Sequence, residues 1–227
     1  MRVAALVLAA GRGERLGASV PKAFLPLAGR PLVVRAIEAL AARPEVEWIV
    51  PVLPELEIPR FRALGRDFAG AARVAEPVAG GAERQDSMRA GLAALPREVE
   101  LVAVHDAARP LVRPEDVGRV IAAAARCGAA LLAIPVRDTL KRVREGRVEE
   151  TLAREACWAA QTPQVFRLAL LREALAKAEA DGFRGTDDAQ LVERLGAPVE
   201  VVEGDASNLK VTWPEDVALA EALWSRR

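Results

Sequence analysis

The chain has 227 residues, of which 52% are hydrophobic and 28% charged, enough apolar material for a sizeable core in a soluble globular protein. Its 32 basic and 32 acidic residues cancel, so no overall positive field exists to hold a nucleic-acid backbone. No apolar run reaches the roughly 18 residues of a membrane span. The apolar start "MRVAALVLAA" breaks into Gly11-Arg12-Gly13 and reads as a buried strand rather than a secretion signal.

In chain order, Val3–Ala10 reads as that strand and Pro31–Ala42 as a helix. Strands are expected at Glu47–Leu53 and, weakly, at Arg73–Pro77. Gln85–Ala94 reads as a helix. Leu101–Val104 reads as a strand ending at His105-Asp106, Glu115–Cys127 as a helix, and Ala129–Ile134 as a strand. This alternation predicts an α/β fold with a Rossmann-like, mostly parallel sheet flanked by helices. Residues 136–160 break the rhythm. Alternation around Glu145-Gly146 predicts a protruding β-hairpin arm, too charged to stand alone and suited to lie on a partner subunit. A helix at Leu168–Ala180, a strand at Val199–Val202 and a last helix opened by a Thr212-x-x-Glu215 capping box follow. Residues 1–227 read as one domain with an arm.

Rare polar residues locate the chemistry. There are four lysines, at positions 22, 141, 177 and 210, one histidine and one asparagine. Cys127 and Cys157 lack metal or CxxC spacing and suit a reducing, cytoplasmic setting. Ligands of open α/β sheets bind beyond the carboxyl ends of the strands. There, Gly11, Gly13 and Gly17 can aim amide N–H groups at an anion, and Lys22 follows with a compact, mobile charge suited to a reacting phosphate. An ordinary surface lysine is the alternative. Asp106 can hold Mg²⁺ or a ribose hydroxyl, and Arg109 an anionic substrate. His105 is a base or a structural residue. The loop of Asn208 and Lys210 precedes the final helix, and the Gly80-Gly81 pair allows close approach of a flat base near Ser87. The arm and the segments after it add Thr139, Arg154, Thr162 and Thr186, the last equally readable as an N-cap.

Taken together, these segments carry a resemblance. "LAAGRGERLGASVPKAFLPLAGRPL" resembles the signature of sugar- and alditol-phosphate nucleotidylyltransferases. "GGAERQDS", "VHDAARP", "DTLKRV", "QTPQVF", "TDDA" and "NLKVTWPEDVALAE", in that order, look like the 2-C-methyl-D-erythritol 4-phosphate cytidylyltransferase family, over nearly the whole chain. The resemblance implies transfer of CMP from CTP to that polyol phosphate, with Mg²⁺ and as a homodimer through the arm. It implies that Ala9, Ala10, Gly11, Gly13, Arg15 and Lys22 hold the triphosphate. Gly80, Ala82 and Ser87 would lie at the cytosine, Asp106 at the ribose and metal, and Lys210 at the α-phosphate. Arg109, Thr139, Arg154, Thr162 and Thr186 would line the acceptor pocket. Lys22, Lys210 and Arg15 are the implied catalytic groups. Ala23 and Ala82 depart from the family pattern, at positions that need not supply charge. Ribitol-5-phosphate cytidylyltransferase, with the same fold and donor, is the nearest alternative, and a non-catalytic nucleotide sensor the alternative of another class.

Overall fold

The computed structural model of the chain describes residues 1–11 and 20–227. In chain order the elements are β1 (Val3–Leu8), β2 (Pro26–Leu27), β3 (Arg30–Pro31), α1 (Leu32–Ala41), β4 (Val46–Leu53), α2 (Ile58–Ala63), β5 (Val78–Ala79) and α3 (Arg84–Ala93). They continue with β6 (Leu101–Asp106), α4 (Pro114–Cys127), β7 (Ala129–Pro135), β8 (Lys141–Arg144), β9 (Arg147–Thr151), β10 (Trp158–Arg167), α5 (Leu168–Ala180), α6 (Asp188–Glu193), β11 (Glu200–Glu203) and α7 (Pro214–Trp224).

Seven strands form one sheet in the order β11-β7-β10-β6-β1-β4-β5. All pairings are parallel except those of β10, which runs against both β6 and β7. The expected mostly parallel α/β sheet is thus what forms. Helices cover both faces, so the central strands are apolar on both sides rather than alternating with polar residues. Along β1, Val3, Ala5 and Val7 pack with Ile37, Leu40 of α1 and Val117, Val120 of α4. Ala4, Leu6 and Leu8 pack with Met88, Leu92 of α3 and Leu171 of α5 on the other face. A third, smaller cluster joins Leu27 and Leu32 to Leu111, Val211 and Ala220.

Three expectations need correction. Arg73–Pro77 is not a strand; a 3₁₀ turn covers Ala71–Arg73, and a single bridge joins Val74 to Ile49 before β5. Arginine side chains hold this segment instead of a ladder: Arg66 donates to the carbonyls of Ala71 and Val74, and Arg73 to those of Arg43 and Val46. The arm is narrower than 136–160, because Trp158 to Ala160 already pair with β7. The cap of α7 is built on Asp216, not Glu215: its Oδ2 accepts from the amides of Thr212 (2.7 Å) and Trp213 (2.8 Å).

The β8–β9 hairpin is present, with Glu145 and Gly146 at its turn, and all its residues are exposed. Leu152 N donates to Leu140 O at 3.0 Å, and the Arg154 guanidinium donates to the Arg137 carbonyl, closing the base of the arm.

Candidate active site

A cavity of about 210 Å³ opens at the carboxyl ends of β1 and β6. Ala9, Ala10 and Gly11 form one wall as the chain leaves β1, and Ala107 and Ala108 another as it leaves β6. Lys22, Arg84, Ser87, Asp106 and Lys210 supply the polar lining. Lysines 22 and 210, distant in sequence, therefore face one space.

Each of these side chains has a local reason for its place. Lys22 opens the 3₁₀ turn Lys22–Phe24, whose Ala23 and Phe24 are buried and anchor it. Ser87 lies in the first turns of α3; its Oγ donates to the Glu83 carbonyl and accepts from Gly81 N, both at 3.2 Å. Gly80 must be glycine here: a Cβ would stand 2.4 Å from Ala10 Cβ and 2.7 Å from Ser87 Oγ. Lys210 is set by the buried Asn208, whose Nδ2 donates to Gln161 Oε1 and to the Thr162 carbonyl, each at 3.0 Å.

Asp106 is the electrostatic centre. Lys210 Nζ stands 2.7 Å from its Oδ2, and Arg84 donates from Nε and Nη2 to its Oδ1, each at 3.3 Å. Burial works to raise this carboxyl, but the charges of Arg84 and Lys210 outweigh it and hold it well below the usual carboxylate range. Arg84 continues to Asp188 Oδ1 at 2.5 Å. Burial pushes the Asp188 carboxyl up, against the pull of Arg84.

Behind the cavity, the Asp106 amide donates to Thr162 Oγ1 (3.0 Å), and that hydroxyl meets His105 Nδ1 (3.0 Å). The Arg109 carbonyl can only accept, so His105 Nε2–H donates to it at 3.1 Å, and the unprotonated Nδ1 of the neutral ring accepts from the Thr162 hydroxyl. Burial lowers His105 to about 4, so the imidazole is neutral and structural at neutral pH. Arg109 donates to the carbonyls of Asn208 (2.7 Å) and Ala160 (3.2 Å).

The structure thus brings Ala9, Ala10, Gly11, Lys22, Ser87, Asp106 and Lys210 to one cavity. Gly80 packs against its wall, and Ala82 is exposed nearby in sequence. Thr162 is buried, its hydroxyl engaged behind Asp106 rather than in the cavity. Thr139 and Arg154 are exposed at the base of the arm. Thr186 is exposed and is not an N-cap; Asp187 caps α6 by accepting from Gln190 N at 3.0 Å. Gly13 and Arg15 lie outside the described residues. Sequence reasoning missed Arg84 and Asp188, although both stand inside quoted motifs.

Among the described residues, no group of three or more His, Cys, Asp or Glu side chains is placed to hold a metal. A single ionised carboxylate at a strand end still fits Mg²⁺, which typically takes one or two carboxylates, substrate phosphates and water. No helix among the described residues is long and apolar enough to cross a membrane.

The family model for 2-C-methyl-D-erythritol 4-phosphate cytidylyltransferase matches residues 3–226. The chain belongs to that family. The 2-C-methyl-D-erythritol 4-phosphate cytidylyltransferase of Syntrophotalea carbinolica is 45% identical over 224 residues, 98% of this chain and 96% of that protein. The enzyme of the same description from Pelotomaculum thermopropionicum is 46% identical over 227 residues, 100% of this chain and 95% of that protein. The crystal structure of the cytidylyltransferase from Thermus thermophilus superposes with a TM-score of 0.81 at 40% identity, covering 98% of each chain. The 4-diphosphocytidyl-2C-methyl-D-erythritol synthase of Anaerococcus prevotii gives a TM-score of 0.87 at 29% identity, over 99% of this chain and 98% of that one.

Proposed function

We propose that this chain transfers CMP from CTP to 2-C-methyl-D-erythritol 4-phosphate, yielding 4-diphosphocytidyl-2-C-methyl-D-erythritol and pyrophosphate in the non-mevalonate isoprenoid pathway. The observation that carries the reading is the convergence of Lys22, Lys210 and Asp106 on one cavity in a member of this family. An oxygen of the acceptor's phosphomonoester attacks the α-phosphorus of CTP. The new P–O bond forms as the bond to the β-phosphate oxygen breaks, and the electron pair leaves with pyrophosphate. The nucleophile is already an anion, so no general base is needed. Neutral, buried His105 is consistent with that.

Negative charge gathers on the five-coordinate phosphorus, and fixed cations aimed at it lower the barrier. Lys210 serves the α-phosphate and Lys22 the phosphates on the other side. Arg15 and the amides around Gly11 and Gly13 grip the leaving group. Asp106 would hold Mg²⁺, which when bound neutralises phosphate charge and polarises the reacting centre. Gly80, Ala82 and Ser87 receive the cytosine, Gly80 letting Ala10 and Ser87 pack closely in the wall beside the ring. Arg109, Thr139, Arg154 and Thr186 attend the acceptor, and Thr162 acts from behind by fixing Asp106.

The chain works in the cytoplasm as a homodimer, its arm laid on the second copy. The exposure of Val143 and Val148 on the arm supports this, since a partner would cover them. The test is a pyrophosphate-release assay across CTP, UTP, GTP and ATP, with 2-C-methyl-D-erythritol 4-phosphate and ribitol 5-phosphate as acceptors. Turnover confined to CTP and the methylerythritol acceptor is expected; faster turnover with ribitol 5-phosphate overturns the assignment.

A further inference from the structure

Two cations share the Asp106 carboxylate, and the fold holds them differently. Arg84 binds Oδ1 and, through Nη1, the Oδ1 of Asp188. Asp188 is 1% exposed, lies outside the cavity lining, and its Oδ2 has no hydrogen-bond partner. A carboxylate buried so completely depends on its counter-charge, and removing one member of such a pair is strongly destabilising. Arg84 is therefore fixed between two carboxylates, at the first position of α3. Lys210 sits on a loop with 43% of its side chain exposed, at the end of a flexible stem. One cation is locked and the other can swing.

We propose that Asp188 and Arg84 form a latch that keeps Asp106 neutralised while Lys210 leaves it for the α-phosphate of CTP. The proposal rests on the assignment of Lys210 to that phosphate. Without a fixed cation, the departing lysine would leave the carboxylate bare toward the incoming triphosphate until Mg²⁺ is seated on it, and like charges at close range oppose each other. Lys210 would then stay on Asp106 rather than serve the phosphorus. Asp188 and Arg84 are positioning residues in this scheme, acting through Lys210, so their loss should fall on kcat more than on the KM for CTP.

The experiment is a double-mutant cycle in the pyrophosphate-release assay at saturating Mg²⁺. Asp188→Asn and Arg84→Gln are each made in the wild type and in the Lys210→Ala variant. In the wild type each should lower kcat by about tenfold or more, with the KM for CTP changed by less than about threefold. In the Lys210→Ala background the same substitutions should change kcat by less than about threefold, because the group they act through is gone. Arg84→Lys, which keeps the charge, should recover part of the loss. The paired variant Arg84→Gln with Asp188→Leu removes the buried charge with its partner and reports on the latch if Arg84→Gln alone does not fold. Equal losses in both backgrounds, or an unchanged kcat in Asp188→Asn, overturn the latch alone. Wild-type turnover in Lys210→Ala overturns the assignment of Lys210 to the α-phosphate and the latch with it, while absence of CTP turnover in the unmodified chain overturns the functional reading.

Discussion

Thr162 Oγ1 lies 3.0 Å from His105 Nδ1 and 3.0 Å from the amide nitrogen of Asp106, so one buried hydroxyl ties β10 to the strand end that carries the carboxylate. The same hydroxyl accepts from the Asp106 amide, so one side chain satisfies two interior groups that would otherwise go unpaired. Thr162→Val keeps the shape and removes both bonds. Leaving a buried polar group unsatisfied costs about 1–3 kcal/mol, so this variant should unfold at clearly lower denaturant and lose turnover. Thr162→Ser should retain both properties. Equilibrium unfolding of the two variants side by side separates the hydroxyl from the methyl.

His105 gives the protein a defined acid sensitivity. Its folded pKa is lowered to about 4 from 6.5, with burial as the leading cause. The unfolded chain therefore binds the proton first. Stability is complete above about pH 6.5, falls as the pH drops toward 4, and is lost by about 3 kcal/mol across that window. Thermal melts in the presence of a chelator, stepped through this range, should show the decline, and His105→Gln should flatten it. Working above pH 4 keeps Asp106 ionised and out of the measurement.

The two lysines should behave alike in rate and differently from a binding residue. Lys22→Ala and Lys210→Ala are each expected to lose about 10²–10³ in kcat, the usual loss for a preorganised electrostatic donor. The KM for CTP should move less. Purified variants with near wild-type turnover would remove either lysine from the mechanism.

Gly80→Ala tests the cytosine side. The new methyl would press on Ala10 and Ser87, and the backbone cannot retreat freely because Gly80 N is bonded to Leu53 O at 2.8 Å. Overpacking of this kind costs about 1–3 kcal/mol of folding stability, and the displaced wall should also weaken CTP binding measured by calorimetry. Unchanged affinity would show that the wall yields.

The exposed arm makes a prediction about assembly. Sedimentation should give a dimer, and replacing Val143 and Val148 with Glu should shift it toward monomer. A monomeric wild type would remove the arm's role while leaving the chemistry untouched.

Most of the layered fold was legible because buried parallel strands are continuous apolar runs, as in "VAALVL" and "LVAVHD". The antiparallel β10 was not. Its stretch "QTPQ" looks like a loop, yet Gln161, Thr162 and Gln164 are buried because other segments supply their partners. Gln161 donates to the Asp205 carbonyl, and Gln164 joins Asp187 to the amide of Ala189. Tertiary bonds of this sort leave no local periodicity. The helix α6 escapes a sequence reading for a related reason: it is short, and its start depends on the Asp187 cap.

At the site, rarity was a good guide to lysines and a poor one to arginine. In a chain rich in Arg, nothing in the composition separates Arg84 from its neighbours Arg89 or Arg97. What sets it apart is a position between Asp106 and Asp188, brought together from β6 and α6 only by folding. Asn208 stands out in the sequence as the sole asparagine; its reason, tethering the Lys210 loop to β10, becomes visible only with the sheet assembled.

The reversed direction of β10 has a geometric result. The chain leaves the sheet after Pro135 and rejoins it at Trp158, which pairs directly with Pro135. Both roots of the hairpin are thus planted on the rim where Asp106 ends its own strand. A parallel return would have carried the second root to the far edge. Any molecule that grips the hairpin is consequently held at the same end of the sheet as the cavity.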